Sequence, residues 1–244
     1  MTRKLPSLSV FFPFYNDEGT VERQIICAYA VGKRLAADFE VIALHGGDSA
    51  DNTYSKIMRM KEQYPPLMVV DKSDNTEGYA VIKHGFSACT KEWIFYTDGD
   101  AQYHLEEDLE RLIDKQAETK ADFVNGYKRK RGDGFVRTFL GTVYSILSRK
   151  ILRLPIRDVD CDFRLIRKSL IDNIVLTSAG SSVLPELVKK AEVLKARIVE
   201  VPVSHYKRAY GTSTYSLFDL VKEKVVGDAK LYLEMRKISK KHEK

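Results

Sequence analysis

Two carboxylates and a carboxamide, Asp98, Asp100 and Gln102, stand at alternate positions directly after the apolar run Trp93-Ile94-Phe95-Tyr96. In extended chain, alternate side chains share one side, so the three groups are aimed together, and Gly99 between them lets other backbone come close. Hard oxygen donors of this kind suit Mg²⁺ or Mn²⁺ holding the phosphates of a substrate. Such ions keep several waters and take only one or two protein carboxylates. The plainer alternative is a polar turn closing a core strand, and spacing alone does not separate the two.

Other clusters bear on the choice. Asp158, Asp160 and Asp162 also alternate, directly before Phe163-Arg164-Leu165-Ile166; they read either as a functional acidic segment or as a solvated turn in which Arg164 pairs with them. Lys128-Arg129-Lys130-Arg131, followed by Gly132 and Gly134, reads as a basic, mobile loop. Near the C-terminal third, His205, Lys207 and Arg208 precede Tyr210-Gly211-Thr212-Ser213. Glu186 falls on a helical stretch and is expected to be exposed.

The elements that must position these groups alternate strand, loop and helix without hairpin signals. Strands are expected at 8–12, 39–44, 67–70, 93–96, 121–126 and 197–203, the first stopped by Pro13, which cannot donate to a ladder. Helices are expected at 20–36, capped by Asn16 or Asp17, then from about 53 to 61, up to about 90, and at 105–120, 141–154 and 185–194. From Ser216 onward Phe218, Val221, Val225, Leu231, Met235 and Ile238 mark one more amphipathic helix. The pattern predicts an α/β chain built on a mostly parallel sheet flanked by helices, with ligands at the carboxyl ends of the strands, where the polar turns lie. One domain over 1–215 is expected, with an amphipathic helix and basic tail over 216–244.

At 244 residues and a net charge of +6 the chain fits an anionic small substrate, a membrane surface or nucleic acid alike, and the charge balance does not select among them. Basic residues are not interleaved with aromatics on one element, so nothing points to nucleic acid. Cys27, Cys89 and Cys161 are widely spaced, which indicates neither a disulfide framework nor a zinc site and suits a reducing compartment. The N-terminus lacks a signal-peptide core, and no run reaches the ~18 apolar residues of a membrane span. A cytoplasmic protein, either soluble or peripheral on the membrane face, is the resulting expectation.

Together these stretches resemble the family 2 inverting glycosyltransferases of the GT-A fold, and among them the dolichyl- or polyprenyl-phosphate sugar synthases. The resemblance covers roughly the first 215 residues. Pro13-Phe14-Tyr15-Asn16-Asp17-Glu18 is similar to the family's opening motif at the nucleotide, implying nucleotide contacts for Pro13, Tyr15, Asn16 and Glu18. Asp98-Gly99-Asp100-Ala101-Gln102 is similar to its Asp-x-Asp-x-Gln form, implying Asp98 and Gly99 at the ribose and Asp100 and Gln102 at Mg²⁺ or Mn²⁺. The segment from Asp158 to Arg164 resembles the acceptor-side acidic motif, with Asp158 and Asp162 as catalytic candidates. Arg208-Ala209-Tyr210-Gly211-Thr212-Ser213 resembles the segment that closes over diphosphate, with Arg208 as a further catalytic candidate, helped by Lys207 or the basic loop. Arg129, Arg164, His205 and Ser213 are then implied at the acceptor or its phosphate.

The chain also departs from the family pattern. Gly46-Gly47-Asp48-Ser49 stands where the family usually has Asp-Asp-Gly-Ser, which leaves Asp48 as the nearby nucleotide candidate. Glu77-Gly78-Tyr79 replaces a Gly-Lys-Gly pattern, and Thr214 replaces a Lys. The resemblance implies transfer of a sugar from a GDP- or UDP-sugar to a lipid phosphate, with a membrane surface, a membrane-protein partner or a second copy as further partners. An ionised lipid phosphate needs no strong base, because its second pKa is about 6. Two alternatives stay open: a glycan or protein hydroxyl as acceptor, which would need Asp158 or Asp162 as base, and a nucleotide-sugar-binding homologue without turnover, motivated by Gly46-Gly47.

Overall fold

The computed structural model describes residues 3–129, 135–211 and 226–233. Four parallel strands, β1 (Leu5–Phe14), β2 (Ala36–His45), β3 (Met68–Asp71) and β4 (Trp93–Thr97), alternate with helices α1 (Val21–Leu35), α2 (Thr53–Gln63) and α3 (Ile82–Ala88). After α4 (Leu105–Thr119) come β5 (Phe123–Lys128), α5 (Phe135–Leu152), β6 (Phe163–Arg167), the single turn α6 (Lys168–Ile171), α7 (Val183–Val193) and β7 (Ile198–Val203). The seven strands lie in the order β3-β2-β1-β4-β6-β5-β7.

Runs such as Val10-Phe11-Phe12 form central strands because both faces of the sheet are covered. Phe12 and Phe14 turn to one side, with Ile25 of α1 and Leu109 of α4, while Phe11 turns to the other, stacking on Tyr96 at 5.2 Å beside Phe86 of α3. Each such side chain is completely buried and contributes roughly 1.5–3 kcal/mol by leaving water. On the α3 side Leu231 of the helical segment 226–233 is buried among Leu184, Leu187 and their neighbours. The other apolar positions expected in that C-terminal helix, and the junction at 215, lie outside the described residues.

Several expectations need correction. β1 does not stop at Pro13 but runs through it to Phe14. The β4 ladder has already ended at the Phe11–Tyr96 pair, so the missing N–H faces no β4 partner, and the Pro13 carbonyl still accepts the Gly99 N–H at 3.2 Å. Neither Asn16 nor Asp17 caps α1 with its side chain; Thr20 is the N-cap residue, and its hydroxyl donates to the Gly99 carbonyl at 2.7 Å. Phe163–Arg167 is a strand, and it runs antiparallel to both β4 and β5. Its sequence is apolar on both sides of Arg164, a pattern that reports burial but not direction.

Glu186, expected on a solvated helix face, is fully buried. Its carboxylate accepts the N–H groups of Thr177 at 2.9 Å and Ser178 at 2.8 Å and the Thr177 hydroxyl at 2.8 Å, and Lys190 lies 2.5 Å away. Burial pushes the carboxyl up, but Lys190 and these N–H groups outweigh it and hold it below the ordinary glutamate value. The 3-10 turn Gly180–Ser182 that follows then donates the Gly180 N–H to the Glu77 carbonyl at 2.8 Å, so Glu186 anchors a loop that braces the entry to α3.

A carboxyl depressed in this way stabilises the fold above its unfolded pKa, and that contribution fades as pH falls through the lower folded value. Glu186→Gln is expected to lower the unfolding free energy at pH 7 by about 3 kcal/mol in urea titrations, because Lys190 loses its buried partner. The difference from the wild type is expected to shrink below pH 4.5, the ordinary glutamate value.

Candidate active site

The reversal of β6 determines where the acidic groups meet. Its first residue, Phe163, pairs with Thr97, the last residue of β4. Asp162 and Asp98, the next residues outward on each chain, therefore face one another at the carboxyl edge of the parallel strands. The Asp98 carboxyl is driven well above the ordinary carboxylate value by burial first, then by the charges of Asp162 and Asp100. Tyr79 donates its hydroxyl to Asp98 Oδ1 at 2.5 Å, and Tyr96 donates to Asp162 Oδ1 at 3.2 Å. Burial holds both phenols far above their usual pKa, so each remains a donor.

Gly99 is required by packing: a Cβ there would lie 2.3 Å from the Phe14 ring and 2.8 Å from the Pro13 carbonyl. Its close approach to β1 turns the chain so that Asp100 and Gln102, both buried, lie under the segment that follows β7. That segment forms a roof. Tyr206 and Gln102 exchange hydrogen bonds, the Tyr206 N–H to the Gln102 carbonyl at 2.8 Å and Gln102 Nε2 to the Tyr206 carbonyl at 3.0 Å. Farther along, Arg208 Nη2 lies 2.5 Å from Asp100 Oδ2, its Nη1 lies 3.9 Å from Asp17 Oδ1, and the Tyr210 hydroxyl donates to Glu18 at 2.5 Å.

The loops after β1 and β2 are bound into one floor. Asn16 holds a positive φ of 55° and accepts the Ala50 N–H at 2.7 Å, while its own N–H goes to the Ser49 hydroxyl at 3.2 Å. The Asp17 N–H donates to Thr53 Oγ1 at 2.7 Å, and Glu18 accepts both nitrogens of Asn52 at 2.9 Å. Burial pushes Asp17 up to about 7, and the Asp100 charge adds to the rise against the pull of the Tyr15 N–H and Arg208. The half-exposed Tyr15 ring lies over Gly47, where a Cβ would stand 3.0 Å from it. With a φ of 155° as well, position 47 suits glycine alone, which explains in packing terms why no carboxylate stands there.

The structure thus brings Asp98, Asp100, Gln102, Asp162 and Arg208 together, with Tyr15, Gly99 and Glu18 at the border. Pro13 contributes its carbonyl to Gly99 rather than to a pocket, and Asn16 is engaged in joining the loops. Asp158 accepts the Lys128 N–H at 3.2 Å at the end of β5, with Lys128 Nζ 3.8 Å away, and its charge acts with that of Asp162 on Tyr103 and Cys161. Asp48 and Arg129 are exposed at loop positions. Arg164, expected at the acceptor phosphate, is fully buried; it donates to the Val159 carbonyl at 2.6 Å and the Cys161 carbonyl at 3.1 Å and so shapes the acidic loop from below. His205 packs edge-on against Tyr103 at 4.9 Å. Ser213, Lys130 and Arg131 lie outside the described residues.

Two residues of the site escaped the sequence reading. Asp17 was read only as an alternative cap of the first helix, and Tyr79 lay in a segment noted only for what it lacked. The donor set fits Mg²⁺ or Mn²⁺ in one respect, its hard oxygen atoms at Asp100 and Gln102. Among the described residues no group of three acidic, imidazole or thiol side chains would by itself hold an ion. A cation held by Asp100 and Gln102 would need its remaining oxygen ligands from a substrate or water. Gly99→Ala is expected to cost about 1–3 kcal/mol of stability in denaturant titrations, because the added methyl overlaps the Phe14 ring.

The fold and site can now be set beside known proteins. The model of the family described as Glycosyl transferase family 2 matches residues 9–175. The chain is 25% identical over 217 residues to the undecaprenyl-phosphate 4-deoxy-4-formamido-L-arabinose transferases of Salmonella paratyphi A and Salmonella dublin, an alignment covering 89% of this chain. It spans only 65% of the length of those relatives. Glucosyl-3-phosphoglycerate synthase of Mycobacterium tuberculosis, solved with Mn²⁺, UDP and glucosyl-3-phosphoglycerate, superimposes with a TM-score of 0.65 at 18% identity, over 90% of this chain and 76% of that one. The same enzyme with Mg²⁺ and UDP gives a TM-score of 0.63 at 16% identity, over 90% and 75%. At these identities the likeness is one of fold, the GT-A arrangement. The match of the family model over most of the chain decides membership, and the chain belongs to glycosyl transferase family 2.

Proposed function

We propose that this chain transfers a sugar, with inversion, from a nucleoside diphosphate to a polyprenyl phosphate, using a divalent cation. The observation that carries the reading is the facing of Asp98 and Asp162 beside Asp100 and Arg208 at the sheet's carboxyl edge. The relatives named for undecaprenyl phosphate support the acceptor, and the fold neighbour's UDP makes a UDP-sugar the first donor to test.

In this reading Tyr15 stacks at the base, and Asp98, oriented by Tyr79, receives the ribose. Asp100 and Gln102 would hold Mg²⁺ or Mn²⁺, which when bound neutralises the diphosphate and acts as a Lewis acid. Arg208 donates charge-assisted hydrogen bonds as negative charge grows on the leaving group. The acceptor phosphate arrives largely ionised at pH 7, its second pKa being about 6. Asp162 then has no proton to remove and serves to orient the attacking group. Asp158, turned toward Lys128, supports the β5 end of the site.

Peripheral attachment to a membrane belongs to the same proposal. No helix among the described residues is long and apolar enough to cross a membrane. On α5, however, Val143, Ile146, Leu147 and Ile151 are exposed at spacings of three and four, and residues 135–157 contain Arg137, Arg149, Lys150, Arg153 and Arg157 without one acidic residue. An apolar stripe bordered by cations suits the surface of an anionic bilayer.

Incubation with labelled UDP-sugars, Mn²⁺ and undecaprenyl phosphate is expected to yield label that extracts into organic solvent. Asp100→Ala is expected to lower that yield at least about a hundredfold with the fold intact by circular dichroism, the scale of losing one group that stabilises developing charge. Label that stays in the aqueous phase on a glycan or protein would instead favour a hydroxyl acceptor, and no turnover with any donor would favour a binding protein. Leu147→Glu is expected to weaken sedimentation with phosphatidylglycerol vesicles at least about tenfold, since it places a charge in the buried stripe.

A further inference from the structure

Asp100 is engaged by a cation that belongs to the chain itself. Arg208 Nη2 stands 2.5 Å from its Oδ2, the other oxygen accepts the Gln102 N–H at 3.0 Å, and the carboxylate is only 5% exposed. The second arm of the same guanidinium reaches toward Asp17 at 3.9 Å. Arg208 thus lies between two carboxylates that would otherwise repel each other. It is carried on the roof segment, whose neighbours Tyr206 and Tyr210 are fastened to Gln102 and Glu18.

A divalent ion held by Asp100 would take the same carboxylate oxygens. A guanidinium still in contact with the same small group would then place like charges almost together in a poorly hydrated site, where their repulsion is strong. Resting on the reading above that Asp100 serves the cation, we propose that Arg208 and the divalent cation compete for Asp100. Arg208 is the gate that keeps the metal site closed until a diphosphate offers the guanidinium another anionic partner.

The gate gives metal and nucleotide a shared energetic cost. Whichever arrives alone must part Arg208 from Asp100 or bind without its help, whereas together they exchange partners: the cation takes the carboxylate and the guanidinium takes the phosphates. Such exchange makes the two ligands strengthen one another, and by linkage the strengthening is equal in both directions. It also gives Arg208 a role before the chemical step, distinct from any contact it makes with the leaving group.

The test measures Mn²⁺ affinity from the electron paramagnetic resonance signal of the free ion, with and without UDP, and requires no turnover. Wild-type protein is expected to bind Mn²⁺ weakly alone and at least about tenfold more tightly with UDP, within the usual range of coupling between sites. Arg208→Gln is expected to bind Mn²⁺ alone at least about fivefold more tightly than the wild type and to gain less from UDP. Arg208→Lys, which keeps the charge on a less forked side chain, should fall between them. Lys207→Gln removes the same charge from an exposed neighbour and should shift Mn²⁺ affinity less than about twofold.

The gate is overturned, with the metal site left standing, if wild-type protein takes up Mn²⁺ with UDP while Arg208→Gln shows no gain for Mn²⁺ alone. An equal gain in Lys207→Gln overturns it as well, since bulk charge would then account for the effect. Absence of Mn²⁺ binding in every variant, with and without UDP, removes both the gate and the metal reading.

Discussion

The constraint on which the site depends is the register of one reversed strand. Because Phe163 of β6 pairs with Thr97 of β4, the chain enters the sheet at the same edge from which β4 leaves it, and Asp162 meets Asp98 there. A parallel β6 would have delivered the acidic segment to the opposite edge, some five residues and about 16 Å away at the usual strand rise. The buried Arg164 supports the entry by holding the Val159 and Cys161 carbonyls. Ladder, arginine and acidic loop are therefore one construction.

Crowding carboxylates together carries an electrostatic cost, and the surroundings are arranged around it. Burial and mutual repulsion push Asp98 and Asp17 up, while Tyr79, Tyr96 and Arg208 supply hydrogen bonds or charge to the group. Carboxyl groups raised by burial and by one another at a strand edge are candidates for functional groups. Glu186 shows the contrast: a carboxylate with no exposed surface, satisfied by N–H groups and Lys190, and held below its ordinary value.

Much of this was legible in the sequence. Unbroken apolar runs ended by Asx-rich or glycine-rich turns marked the first four strands; Asp98, Asp100 and Gln102 do gather, but through a turn with Ala101 at a φ of 56° and not through the alternation of extended chain. Direction was not legible, since Phe163-Arg164-Leu165-Ile166 looks the same whichever way it runs. Asp158 and Asp162 stayed open as alternatives in the sequence for a related reason. Both precede Phe163, and only the register shows that Asp162 faces the β4 edge while Asp158 falls back toward Lys128. Glu186 was misjudged because charge suggests solvent, and the backbone groups of Thr177 and Ser178 that satisfy it lie in a loop the sequence does not mark as a neighbour.

The coupling of the first two loops has a bearing on how such a protein can diversify. Asn16 to Ala50, Asp17 to Thr53 and Glu18 to Asn52 lace the turns together like facing pages of a binding, and Tyr15 rests on Gly47. A change at one turn is felt at once by the other. If the two turns hold the nucleotide as proposed, altered base preference should be inherited as paired replacements in both, and a transplant of either alone from a cousin would arrive without the half it was fitted to.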